Sequence, residues 1–165
     1  MKLLALFGLI ILLSSSAITH DPPKRIATTQ YQTKNVIVLV IDGPRYSETF
    51  GDTTYQYIPH LANDLAPQGV LFTNFKNNGK TNTNSGHAAI TTGVYQSIRN
   101  DGTELPKFPS FFQYYLKEKQ LPKEKAWIVA SKGKLNILAN ARKKGWFNCF
   151  MPSDYCGPHG NGNEY

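Results

Sequence analysis

The chain has 165 residues, with 18 Lys and Arg against 11 Asp and Glu, a formal charge of +7 and two cysteines. That length supplies about one small domain and a single core. Cys149 and Cys156 have no second ligand pair at zinc-finger spacing, so a metal site built from them and His159 is disfavoured against a disulfide.

The amino terminus, "MKLLALFGLIILLSSSA", reads as a secretory signal over residues 1–17. Lys2 precedes an apolar run from Leu3 to Leu13, and Ser15 to Ala17 offers small residues for cleavage. The run is shorter than the roughly 20 apolar residues of a bilayer-spanning helix, and an uncleaved anchor is the alternative. The expectation is a secreted or periplasmic protein with no stable membrane anchor once the signal is removed. Residues 18–34, with Asp21, Pro22 and Pro23, read as a linker, and residues 35–165 as the folded part. In an exported chain a Cys149–Cys156 disulfide has the right compartment, while its geometry is open.

From Asn35, "NVIVLVIDG" is a β-branched run ending at Gly43, the pattern of a strand buried on both faces. "IPHLANDLAPQG" then predicts a helix with Pro59 at its start, Leu61 and Leu65 at helical spacing, and a stop at Pro67 and Gly69. "VLFTNF", Val70 to Phe75, reads as a second strand. A helix follows from about Asn84 to Thr92, stopped by Gly93. Another spans Ser110 to Gln120, with Ser110 as cap and Phe111, Tyr114 and Tyr115 facing inward. "AWIVAS", Ala126 to Ser131, is a third strand, and Lys134 to Ala141 a further helix. The alternation predicts an α/β fold: a doubly wound, mostly parallel sheet with helices on both faces. The tail from Trp146 has no periodicity. Its "GPHGNG" lacks the flanking strand and helix of a phosphate-binding loop, and the chain shows no internal repeat. Basic residues between Lys117 and Lys144 form either a solvated face or one that favours anions.

Ligands of open α/β sheets bind beyond the carboxyl ends of the strands. Asp42 stands there as a cation-holding carboxylate or, beside Gly43, as a turn residue. The helix beginning after "KTNTN" presents unpaired N–H groups suited to an anion, and Thr81, Thr83 and Ser85 are hydroxyls at its start. Each is a candidate nucleophile or merely a cap.

"VIVLVIDGPRYSETFG" followed by "TNTNSGHAAITTGVY" resembles the amino-terminal half of the alkaline phosphatase superfamily, in its type I phosphodiesterase/nucleotide pyrophosphatase and phosphate-monoesterase branch. The resemblance covers about Asn35 to Leu138. It implies an exported metal-dependent phosphoester hydrolase acting through a phosphothreonine intermediate on a small phosphorylated substrate, with no nucleic acid as partner. Thr83 falls on the nucleophile position, which also ligates a metal, and Asp42 on the first metal-ligating aspartate, while His87 would hold the nucleophile turn. Two Zn²⁺ ions on the order of 4 Å apart would activate Thr83 and stabilise the leaving oxygen. Asn100 is the nearest match for a phosphoryl-contacting Asn, at a shorter spacing. In "SKGKL", Lys132 and Lys134 match substrate-phosphate residues, Lys134 standing where an Arg is common. Sulfatases share the fold, but Ser85 and His87 replace their Pro and Arg.

The family's other metal ligands lie in Asp-x-x-x-His, Asp-His and lone His motifs. His87, His159, Asp101 and Asp154 stand in none of them, so the chain reads as the amino-terminal part of such a domain, inactive alone. The alternative is a non-catalytic anion-binding or partner-binding module on the same scaffold.

Overall fold

The computed structural model describes residues 32–157. The signal segment, most of the linker and His159 fall outside them. The chain divides into two units, meeting between Val40 and Ile41. In the described part of the first, residues 32–40 run without helix or strand and Val36, Ile37 and Leu39 are exposed.

The second unit is built on two helices and a two-stranded sheet. Helix α1 runs Thr83–Thr92 and α2 Phe111–Lys119; strand β1 is Trp127–Ala130 and β2 Ser153–Cys156. Both helices are set by local capping. The Asn82 side chain accepts from Ser85 N–H at 2.9 Å, and Gly93 closes α1 in the left-handed region at φ 71°, where a side chain is disfavoured. Ser110 caps α2 by accepting from Gln113 N–H.

Strands β1 and β2 pair in parallel, Trp127 beside Ser153 and Ala130 beside Cys156. Parallel neighbours require a long crossover, which here contains a 3-10 turn at Gly133–Ala139. That turn supplies much of the core: Leu135, Ile137, Leu138 and Ala139 pack with Ala88 of α1, Ile98, Ile128 of β1 and Cys156 of β2. Thus the predicted helix at Lys134 to Ala141 is a tighter 3-10 element. The segment from Pro59 is helical as expected, but as a π turn at Leu61–Leu65 and a 3-10 turn at Ala66–Gln68. It buries none of its residues, so no apolar stripe holds it to α-helical geometry.

Two further expectations are revised, and one open pairing is answered. The inward face of α2 consists of Gln113 and Leu116, flanked by Phe112, while Phe111, Tyr114 and Tyr115 remain 39–46% exposed. The rotation follows from Gln113, whose Nε2 donates to the carbonyls of Trp146 at 3.1 Å and Cys149 at 2.8 Å. Secondly, Cys149 and Cys156 are free thiols. Cys149 is exposed, whereas Cys156 ends β2 with no exposed surface, and the β1–β2 ladder holds it in the core. Thirdly, the two apolar runs at 35–41 and 70–75 carry no ladder; Val38, Ile41, Phe72 and Phe75 are all more than half exposed. A strand of that composition needs a neighbour on each edge and cover on both faces, and the described residues provide one ladder, between β1 and β2.

Candidate functional site

The amino terminus of α1 is where the candidate residues meet. Four hydroxyls lie in the stretch from Thr83 to Thr92, and three are committed to the backbone. Ser85 is buried; its Oγ accepts from Ile98 N–H at 3.0 Å and lies 3.2 Å from Ile98 O, to which it donates. Thr91 Oγ1 donates to His87 O at 2.9 Å and Thr92 Oγ1 to Ala88 O at 2.6 Å. The Thr83 hydroxyl, half-buried on the first residue of α1, makes no hydrogen bond to another described residue. Ser85 is therefore a clamp between helix and loop, and Thr83 is the one of the four hydroxyls without a hydrogen-bond partner among the described residues.

Asn100 reaches the same place from the other side of that clamp. Its Oδ1 accepts from Asn84 N–H at 3.0 Å, satisfying one of the donors that a helix start leaves open. Asn84, fully buried, donates through Nδ2 to Arg99 O at 3.0 Å, while its own Oδ1 has no partner among the described residues. Asn100 Oδ1 thus caps the first turn of α1.

Lys134 is tied to Asn100 through its main chain, Nζ donating to Asn100 O at 3.1 Å. Gly102 makes this approach possible. It sits at φ 79°, and a Cβ there would lie 2.8 Å from Lys134 Cβ and 2.9 Å from Lys134 Cα. Only a glycine combines that backbone with so close a neighbour. Lys132, just past the carboxyl end of β1, donates to the Asp42 carboxylate. This hydrogen bond holds the Asp42 carboxyl below its ordinary value, with smaller help from the charges of Lys132, His87 and Lys134 and against a partial desolvation. His87 Nδ1 lies 2.7 Å from Thr83 O, so its ring braces the first turn of α1.

Two sets of contacts across up to 90 positions result: Lys134 pairs with Asn100 and Asn100 with the turn that carries Thr83, while Asp42 pairs with Lys132 and feels the charge of His87 on α1. Sequence reasoning missed the two residues that hold this arrangement, Ser85 as a clamp and Gly102 as a spacer. The "NDGT" turn carried a signal for Gly102; nothing local signalled the partner of Ser85.

Fit to a two-metal centre can be judged from the donors. Asp42 offers one carboxylate, already engaged by an ammonium, and Thr83 one hydroxyl, against roughly four ligands for each zinc ion. Among the described residues no three His, Cys, Asp or Glu side chains come together. The Asp101 carboxylate is used within its own turn, accepting from Thr103 N–H at 2.9 Å and Thr103 Oγ1 at 2.7 Å. These residues alone do not fit two zinc ions. No helix among the described residues is long and apolar enough to cross a membrane. No family model, curated protein or solved structure matches the chain.

Proposed function

We propose that the chain binds the phosphoryl group of a small substrate at the amino terminus of α1, as an exported anion-binding module on an alkaline-phosphatase-like, doubly wound α/β scaffold. One observation supports this reading: Lys134, from a distant crossover, donates to the main chain of Asn100, whose side chain caps the helix end bearing Thr83, and Lys132 of the same crossover pairs with Asp42, which feels the charge of His87 on that helix. Two ammonium groups beside a helix start attract an anion by charge, and the helix N–H groups add directed donors. Ammonium groups act as point charges without the fork of an Arg, so a mobile phosphoryl group suits them.

A second reading is favoured by Thr83 itself. In phosphoester hydrolysis the Thr83 oxygen would bond to phosphorus as the ester P–O bond breaks, its proton ending on the departing alkoxide, and water would then cleave the phosphothreonine to phosphate and restore the hydroxyl. By the family resemblance that chemistry belongs with two divalent metal ions, zinc in the expectation above, which would need ligands beyond Asp42 and Thr83. The binding reading is preferred because Asp42 is paired with Lys132.

Calorimetric titration of the full chain with inorganic phosphate tests the first reading. Binding is expected, with Lys132→Met and Lys134→Met each weakening it by roughly fivefold or more. Equal affinity in the double variant would refute it. Turnover of p-nitrophenyl phosphate with added Zn²⁺, lost in Thr83→Ala, would favour hydrolysis instead.

A further inference from the structure

Asp42 joins the proposed anion site through its contact with Lys132, and its carboxylate carries the same charge as the ligand. It does not face solvent alone: it accepts a hydrogen bond from Lys132, with the two side chains 42% and 40% exposed respectively. Lys134 makes its own contact elsewhere, on Asn100 O. His87 is within electrostatic reach of Asp42 but engages Thr83 O through Nδ1. Of the three basic side chains around the helix end, Lys132 is the one whose charge is already answered.

We infer that Asp42 is a built-in competitor for the phosphoryl group: it occupies the Lys132 ammonium, and an anion binds as Lys132 exchanges the carboxylate for a phosphoryl oxygen. This rests on the phosphoryl-binding reading of the same site and gives that site a regulation. Anything that draws Asp42 away, such as a cation or a basic side chain of a partner, releases Lys132 and strengthens anion binding. Reciprocally, a bound anion frees the Asp42 carboxylate for a cation, because both events break one contact. Asp42 is here a positioning residue, acting through Lys132.

The sign of one substitution tests this. Inorganic phosphate is titrated into the full chain in EDTA at low salt, comparing wild type, Asp42→Asn, Lys132→Met and the double variant. Asp42→Asn is expected to bind phosphate roughly two- to fivefold more tightly, the range an exposed ion pair is worth. In the Lys132→Met background the gain should vanish, which a double-mutant cycle reads directly. A gain that persists without Lys132 would mean simple repulsion between Asp42 and the anion, and would overturn the competition while leaving the anion site standing. An unchanged or weaker affinity in Asp42→Asn would overturn it too. Phosphate binding by Asp42→Asn alone would support a stronger competition; binding by none of the four would remove the anion site and the competitor together. Asp42→Ala serves as a second variant should Asp42→Asn fold poorly.

Discussion

Replacing Ser85 by alanine separates a structural hydroxyl from a chemical one. Ser85 Oγ makes both a 3.0 Å bond from Ile98 N–H and a 3.2 Å bond to Ile98 O, and the two residues are 1% and 4% exposed. Alanine removes both bonds and leaves a buried donor and a buried acceptor with no replacement. One net hydrogen bond is worth about 1 kcal/mol, and an unsatisfied buried group costs about 1–3 kcal/mol. Since Ile98 belongs to the core cluster and cannot turn to water without opening it, the loss should be about 2–4 kcal/mol. Urea unfolding followed by far-ultraviolet circular dichroism measures it as a shift in midpoint at constant slope. Thr83→Ala, at a half-buried hydroxyl without a partner, should change stability by less than about 0.5 kcal/mol. A Ser85→Ala variant as stable as wild type would refute the clamp and return Ser85 to the candidates for nucleophile.

Further outcomes follow from the same geometry. Asn100→Ala removes the acceptor for Asn84 N–H and should cost about 1 kcal/mol, with faster amide exchange confined to the first turn of α1. Gly102→Ala combines a left-handed backbone with a Cβ 2.8 Å from Lys134 Cβ. It should destabilise the chain by about 1–3 kcal/mol and weaken phosphate binding, whereas Gly145→Ala, equally left-handed but with open space around its Cβ, should leave phosphate binding alone. Under native conditions at pH 8 a maleimide should label Cys149 within minutes and Cys156 only on unfolding, read by mass after digestion; equal labelling would contradict the burial of Cys156. Burial, with a smaller contribution from Asp154, pushes the Cys156 thiol up from 9.0 to about 11. The folded chain then holds its proton longer than the unfolded one. Its contribution is full below the ordinary thiol value and falls as pH rises through about 11, by on the order of 2 kcal/mol. Cys156→Ser should flatten that part of the stability profile.

What the sequence made legible was what local chemistry decides. Helix α1 was readable because its stop is Gly93 and its start a run of capping residues, and α2 because Ser110 precedes an aromatic and apolar segment. Strand β1 announced itself through "WIVA". Each signal lies within a turn or two of the element it controls. Strand β2, "SDYC", has no such pattern and exists through its pairing with β1. The face that α2 buries depends on Gln113 finding two carbonyls more than thirty positions away, so helical periodicity alone selected the wrong aromatic residues. The two apolar runs at 35–41 and 70–75 looked like strands because composition reports what a segment would do beside suitable neighbours, not whether they are present. At the site, residue types singled out Asp42, Thr83, Asn100, Lys132 and Lys134. Their partners were invisible: nothing near Asp42 in sequence points to Lys132, and nothing near Asn100 to the backbone of Asn84.

The Asp42–Lys132 contact closes a loop of 90 residues, and the contacts of Asn100 and Lys134 close shorter ones inside it. Non-local closures cost chain entropy before they return any contact energy. The caps of α1 form within a few residues, so the helix end exists early in folding without the charges that would make it attractive to an anion. Those charges arrive with β1 and its crossover. On the proposed anion-binding reading, affinity for phosphate should therefore develop in the last phase of refolding, after most helical signal has returned.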